Sequence, residues 1–219
     1  VTITDPLSGQ PLTVYNQNAA TSGRVALFFG NYDELDRTYN GFEIKLDKRF
    51  PNSANLFGVI VIGRNEGSIR DNQTDLNNPN NLINHVGAVG WDSTYQLKVA
   101  GNHPLPLGIN LSATYQWQTG LPLRRTFTVT RTQVPNLTQV TQAVDLLPAG
   151  EVRLATRNLL DVRVAKEFRL GDSSFEGLVD IFNLFNSDAT LAEVQAVGPR
   201  LTTPSGVVDG RLLRLGVQF

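Results

Sequence analysis

The chain has 219 residues, 41% of them hydrophobic, and its 19 Lys and Arg against 20 Asp and Glu leave a formal net charge of -1. That balance excludes the basic footprint of a nucleic-acid-binding protein and the polybasic patch that attracts anionic lipid. Cys is absent, which excludes disulfides and thiol-based metal sites.

No apolar run approaches the roughly 18–20 residues of a membrane helix, so any crossing of a membrane would be made with strands. Met is absent and the chain opens at Val1 with no recognisable targeting segment, which reads as a fragment or a processed chain.

Residues 1–38 are expected to hold a strand and an extracellular loop, and residues 39–219 the spanning strands. Strict alternation of apolar and polar residues predicts a strand with two unlike faces. Tyr39 to Phe50 alternates Phe42, Ile44 and Leu46 with Glu43, Lys45 and Asp47. Asn55 to Arg64 is a mostly apolar run. Ser93 to Ala100 sets Tyr95, Leu97 and Val99 against Thr94, Gln96 and Lys98. The clearest case is Leu107 to Gln118, with Leu107, Ile109, Leu111, Ala113, Tyr115 and Trp117 on one face. At about a dozen residues it exceeds the usual globular strand and matches the roughly 9–11 residues that a tilted strand needs to cross a bilayer. Asn158 to Phe168 sets Leu160, Val162, Val164 and Phe168 against Asp161, Arg163 and Glu167. Phe175 to Phe185 follows, and Arg211 to Phe219 ends the chain with Leu213, Leu215, Val217 and Phe219 on one face.

Connections alternate as regularly as the strands. Short turns are predicted at Pro51 to Ala54, Asn102 to Pro106 and Gly171 to Ser173, and long polar loops at residues 65–92, 119–157 and 186–210. The run Asp71 to Asn84 is rich in Asn, Asp and Pro, which break ladders and favour Asx turns. Thr126 to Arg131 alternates inside a long loop and reads as a hairpin arm; Ala189 to Val197 is a weak helical candidate. Short turns at one end and long loops at the other are the pattern of an outer-membrane barrel. The expected fold is all-β: an antiparallel, curved meander of about seven to nine long strands forming a partial transmembrane β-barrel.

Several segments then bring a family into view. DRTYNGFEIKLDKRF (Asp36 to Phe50), LTVYNQ (Leu12 to Gln17) and NHPLPLGINLSATYQWQTGLPL (Asn102 to Leu123) resemble barrel segments of TonB-dependent receptors of the Oar-like, carboxypeptidase-regulatory-domain type. In the last of these Thr119 stands for the Ser of the family's SG-x-P loop. LDVRVAKEF (Leu160 to Phe168) and VDIFNLFN (Val179 to Asn186) resemble two further strands, and GRLLRLGVQF (Gly210 to Phe219) the closing one. The resemblance implies the outer membrane of a Gram-negative bacterium and uptake of an unidentified nutrient. It also implies a barrel of about 22 strands preceded by a plug that contacts the TonB complex; no plug or TonB-contacting segment is seen in this sequence. Phe219 would be the terminal aromatic that the barrel assembly machinery recognises. The competing readings are a soluble secreted β-sandwich binding module and a passive or adhesive outer-membrane barrel.

Chemistry is sparse. Asp161, Arg163, Glu167, Glu176 and Asp180 fall on two strands expected to be adjacent and would form a lumen-facing polar ladder, either an ordinary polar interior or a transport path. His85 and His103 have no paired ligand at useful spacing. Asp71, Asp75 and Asp92 lack the spacing of an EF-hand loop. Arg124, Arg125 and Arg131 cluster in one loop and read as a solvated face, with an anionic ligand as the alternative. Tyr39, Phe50, Trp91, Tyr95, Trp117, Phe168 and Phe185 suit interfacial aromatic girdles or simple packing. No nucleophile–base pair, P-loop or HExxH appears, so no enzyme, cofactor or metal is expected.

Overall fold

The computed structural model describes residues 1–24, 26, 30–70, 76–171 and 173–219. In chain order the strands are β1 (Thr2–Thr4), β2 (Pro11–Thr13), β3 (Arg37–Arg49), β4 (Asn55–Ser68), β5 (Val86–Ala88), β6 (Tyr95–Leu105) and β7 (Ile109–Gln118). They continue with β8 (Pro122–Thr130), β9 (Thr141–Arg153), β10 (Arg157–Leu170), β11 (Ser173–Phe182), β12 (Thr190–Glu193), β13 (Pro204–Val207) and β14 (Leu212–Gln218). The fold is all-β and its ladders are antiparallel, apart from one isolated parallel bridge.

Seven strands build one sheet in the order β3-β4-β6-β7-β10-β11-β14, with β5 paired to the end of β4. Each of the seven lies beside the one before and the one after it in the chain, as in a meander, with the separate β8–β9 hairpin inserted between β7 and β10. Register keeps like faces together, because side chains of directly opposed residues project to the same side. Phe42, Ile62 and Tyr95 form one apolar row, and Ile44, Ile60, Leu97 and Trp117 form the next. Leu111, Val164, Val179 and Leu215 continue that face across β7, β10, β11 and β14. The opposite face carries Glu43, Lys98, Gln116, Thr114, Asp161, Arg163, Asp180 and Arg214. Among the described residues no second sheet covers the apolar face: Ile44 is 51% exposed, Val164 40% and Leu215 72%.

The predicted strands are present, with shifted ends. The turn expected at Asn102 to Pro106 lies instead at Pro106–Gly108, where Leu107 and Gly108 have φ of 66° and 72°. Strand β6 continues through His103 and Pro104 because its ladder with β4 ends at Asn102, leaving an edge that tolerates the missing proline N–H. Strand β11 stops at Phe182 rather than Phe185, since Asn183 and Asn186 adopt positive φ of 48° and 53°. Residues 189–197 are not helical: Thr190–Glu193 is β12, paired with β13. Thr190 and the valines around it favour extended backbone.

The packed core lies outside the sheet. Val14, Val129, Val134, Leu137, Val144 and Leu146 are buried together, with Ile3, Leu12, Ile83, Phe127 and Val197 against them. They come from the N-terminal segment, the β8–β9 hairpin and the 65–92 and 186–210 connections. The long connections, expected as solvated loops, thus fold together into a cap. Asn80, fully buried, fastens it: its side chain accepts from the Tyr15 N–H at 2.7 Å and donates to the Tyr15 carbonyl at 2.7 Å. One amide here replaces a backbone partner and satisfies both backbone polar groups of Tyr15.

Candidate functional site

The polar ladder read from the sequence separates into two parts. Arg163 and Asp180 are directly opposed on β10 and β11, and Asp180 is opposed in turn to Arg214 on β14. Arg163 Nε donates to Asp180 Oδ1 at 2.5 Å, and Arg214 Nε donates to Oδ2 at 2.8 Å. The Arg214 guanidinium also sits 5.2 Å from the Phe182 ring centroid. Asp180 is almost fully covered, whereas both arginine side chains remain about half exposed. Ser112, Thr114 and Asp161 share with Arg163 and Asp180 a shallow depression of about 280 Å³.

Asp161 does different work from its neighbours. Its Oδ1 accepts from the backbone N–H of Asn183 at 2.8 Å, capping the turn after β11. Asn183, buried, then donates to the carbonyls of Ser187 and Asp209 and ties the 186–210 connection to the sheet. The FNLFN segment is therefore a side-chain-locked turn rather than the strand expected from it. Glu167 and Glu176 oppose each other four residues nearer the short turns, away from the cluster. Their like charges repel, and Arg169 at 3.1 Å from Glu167 relieves part of this.

Arg214 was not singled out from the sequence, although its signal was there: it stands at an alternating polar position on the last strand. Asp180 is expected to be the member on which the cluster depends. In Asp180→Asn the two guanidinium groups would face each other without a carboxylate between them. The thermal midpoint should fall at low ionic strength, and the loss should shrink near 1 M salt, where the Debye length is about 3 Å. An equal loss at both salt concentrations would refute an electrostatic role.

A second constellation was missed altogether. Asp145 on β9 is fully buried and accepts from Arg124 Nε at 3.0 Å, Arg124 Nη2 at 2.7 Å and Arg70 Nη2 at 2.8 Å. Thr126 Oγ1 adds a longer bond of 3.3 Å. Arg125 is buried against Glu193 at 2.8 Å, and Arg153 meets Asp92 at 2.6 Å. Arg124 and Arg125 are therefore structural, not a solvated face; only Arg131 remains exposed. The reason is topological, because the β8–β9 ladder sets Asp145 beside Arg124 and the 186–210 connection brings Glu193 to Arg125.

The remaining candidates are dispersed. His85 packs into the cap with Nδ1 2.6 Å from the Leu82 carbonyl, and His103 lies in β6 opposite Leu111 rather than in a turn. Asp71 and Asp75 lie outside the described residues; Asp92 is held by Arg153. Among the described residues no group of three or more His, Asp or Glu is placed to hold a metal ion.

The aromatic residues divide by face. Register places Tyr95 and Trp117 on the apolar face toward the long connections. At the short-turn end Phe168 stacks on Phe175 at 5.1 Å, and Phe219 packs 6.3 Å from Phe175. Phe219 thus joins the apolar face. Lys48 and Lys166 lie over the rings of Phe50 and Phe168 at 5.8 and 5.3 Å. Tyr39 and Trp91 do not belong with them: Tyr39 is on the polar face, and Trp91 lies between β5 and β6. Phe185 lies in the turn beyond β11. No family model matches the chain, nor does any curated protein or solved structure.

Proposed function

We propose that the chain is part of a transmembrane β-barrel in the outer membrane of a Gram-negative bacterium, and that its parent is a receptor taking up a nutrient. The observation that carries this reading is the uncovered apolar face. A β-sandwich buries such a face about 10 Å beneath a second sheet. Here the buried hydrophobic residues lie mainly in the cap, and Phe42, Ile44, Leu111, Val179 and Leu213 are all open. An apolar face of seven strands exceeds the few hundred Å² usual on soluble monomers. Lipid is the solvent that suits it.

Further features support the same reading. β3, β4 and β10 have 13, 14 and 14 residues, more than the roughly 9–11 that a crossing needs. The lysine–aromatic pairs at the short-turn rim suit a headgroup boundary, where a lysine stem lies on apolar surface and its ammonium reaches water. Among the described residues strands β3 and β14 each have a free edge in the sheet order. With seven strands they run in the same direction, so antiparallel closure requires an odd number of further strands. An even total then results, as in bacterial barrels.

Active uptake through a TonB complex, by way of a plug, rests on the family resemblance of the strand segments. In that arrangement the cap would stand at the extracellular mouth, and the Arg163–Asp180–Arg214 cluster would face the lumen. The test of the membrane reading is hydrodynamic. The purified chain is expected to aggregate in plain buffer and to become a dispersed, β-rich species in detergent or lipid vesicles. A monodisperse monomer in plain buffer would overturn it. For active uptake the deciding observation is a plug domain in the parent; a parent without one would be a passive or adhesive barrel.

A further inference from the structure

Trp91 is 86% exposed and borders a depression away from the apolar face of the sheet. The depression it borders is on the other side, lined by Tyr39, Val61, Asn65 and Gln96 of the polar face. Lipid contact therefore does not account for it.

The backbone around this indole is held rigidly. Asp92 and Ser93 are buried beside it. Asp92 accepts from the Asn65 N–H at 2.9 Å and from Arg153 at 2.6 Å, while Arg153 also donates to the Asp92 carbonyl at 2.7 Å. Ser93 Oγ donates to the Thr119 carbonyl at 2.9 Å. An exposed side chain on a fixed base, with only two torsions to freeze, loses little entropy on binding.

Tyr39 supplies a second ring, 66% exposed. It lies across two glycines of β3 and β4: a Cβ at Gly63 would come within 2.8 Å of its hydroxyl, and one at Gly41 would collide with the ring. The missing side chains let the ring settle on the sheet. The depression between these groups measures about 570 Å³, within the roughly 300–1,000 Å³ of small-molecule sites.

Its charged groups are already engaged. Asp92 is paired with Arg153, and Arg37 is turned onto the Ser68 and Arg70 carbonyls at 2.7 and 3.1 Å. What remains for a ligand is two aromatic rings, the Tyr39 hydroxyl, the indole N–H and the Gln96 amide oxygen, the Gln96 nitrogen donating to the Ser93 carbonyl at 3.5 Å. That combination suits a molecule with an apolar flat side and a hydroxylated edge.

We infer that the Trp91–Tyr39 depression binds a saccharide, with a pyranose ring packed on the aromatic rings and its hydroxyls bonded to the polar rim. The inference rests on the polar face being the barrel interior and makes this depression a station for the transported nutrient.

The test is a fluorescence titration of the full chain in a zwitterionic detergent without a sugar headgroup. The probes are maltohexaose, cellohexaose, chitohexaose and hexagalacturonate, with 2,3-dihydroxybenzoate as a flat aromatic control. At least one saccharide should give a saturable change in tryptophan emission with Kd of about 1 mM or tighter, some -4 kcal/mol. Trp91→Ala should abolish the change, and calorimetry should show affinity weakened at least tenfold in both Trp91→Ala and Tyr39→Ala. Trp117→Phe, on the opposite face, should leave affinity intact. Silence with all four saccharides, a response to the aromatic acid alone, or unchanged affinity in Trp91→Ala would overturn the assignment. Failure of the barrel reading looks different, since the chain would then be a soluble monomer without detergent.

Discussion

Asp145→Ala is expected to dismantle the cap while leaving the seven-strand sheet paired. Asp145 is fully buried and is the shared acceptor for Arg70 and Arg124, whose side chains are 15% and 35% exposed. Removing one partner of a buried ion pair leaves the other charge uncompensated and typically costs about 3–5 kcal/mol. Arg70 in particular cannot easily turn to water, because it is the more buried of the two and also donates to the Asn81 carbonyl at 2.9 Å. A loss of that size is a large fraction of the stability of a small packed unit. Hydrogen exchange and limited proteolysis in detergent should show residues 76–92 and 119–157 opening, with β3, β4, β6, β7, β10, β11 and β14 still protected. Glu66→Gln, at the exposed Arg64–Glu66 pair, should cost no more than about 1 kcal/mol. Equal protection of the cap in Asp145→Ala and the parent sequence would refute the central role given to Asp145.

Val164→Arg should be the most damaging single change on the sheet, and only when the protein is in a bilayer. Val164 faces Leu111 on one side and Val179 on the other, on the exposed apolar face. In a lipid-facing position an arginine near the bilayer midplane costs about 2–4 kcal/mol, falling toward 0–1 near the interfaces. Thr114→Lys, opposed to Asp161 on the polar face, should be tolerated. The two substitutions lie on adjacent strands, three register positions apart and on opposite faces, so a general effect of placing a cation on the sheet would strike both. Equilibrium unfolding from lipid vesicles measures the difference. If Thr114→Lys costs as much as Val164→Arg, lipid does not contact the apolar face and the barrel proposal falls.

What sequence and structure each contributed can be seen in particular residues. Leu111 and Tyr115 declare their face through the alternation with Ser112 and Thr114, because side-chain direction in a strand has a period of two and needs no partner. The all-β class, the main strands, the turns at Pro51 and Gly171 and the two-faced character of the sheet were therefore legible in local pattern. So was the adjacency of the strands that carry Arg163 and Asp180, since a tight turn joins them; that these two residues pair is a finding of the structure.

Apart from the alternating hairpin arm at Thr126 to Arg131, which is the end of β8, the cap was not legible, for an equally physical reason. Its chain has no sustained period, and its polar composition reads as loop until the partners are known. Asn80 and Tyr15 are 65 residues apart, and Arg70 and Asp145 are 75 apart. No window along the chain contains both members of either pair. Asp145 looks like any acidic loop residue until folding brings two guanidinium groups to it. Arg214 likewise met Asp180 only once β14 had docked on β11. By itself the sequence determined that there would be a sheet, and which side of it would be apolar. Only the tertiary structure decided where the hydrophobic core lies, which charges are buried, and that Trp91 and Tyr39 share one depression. Alternation is a property of neighbouring residues, whereas burial and ion pairing depend on partners that chain folding must bring from far away.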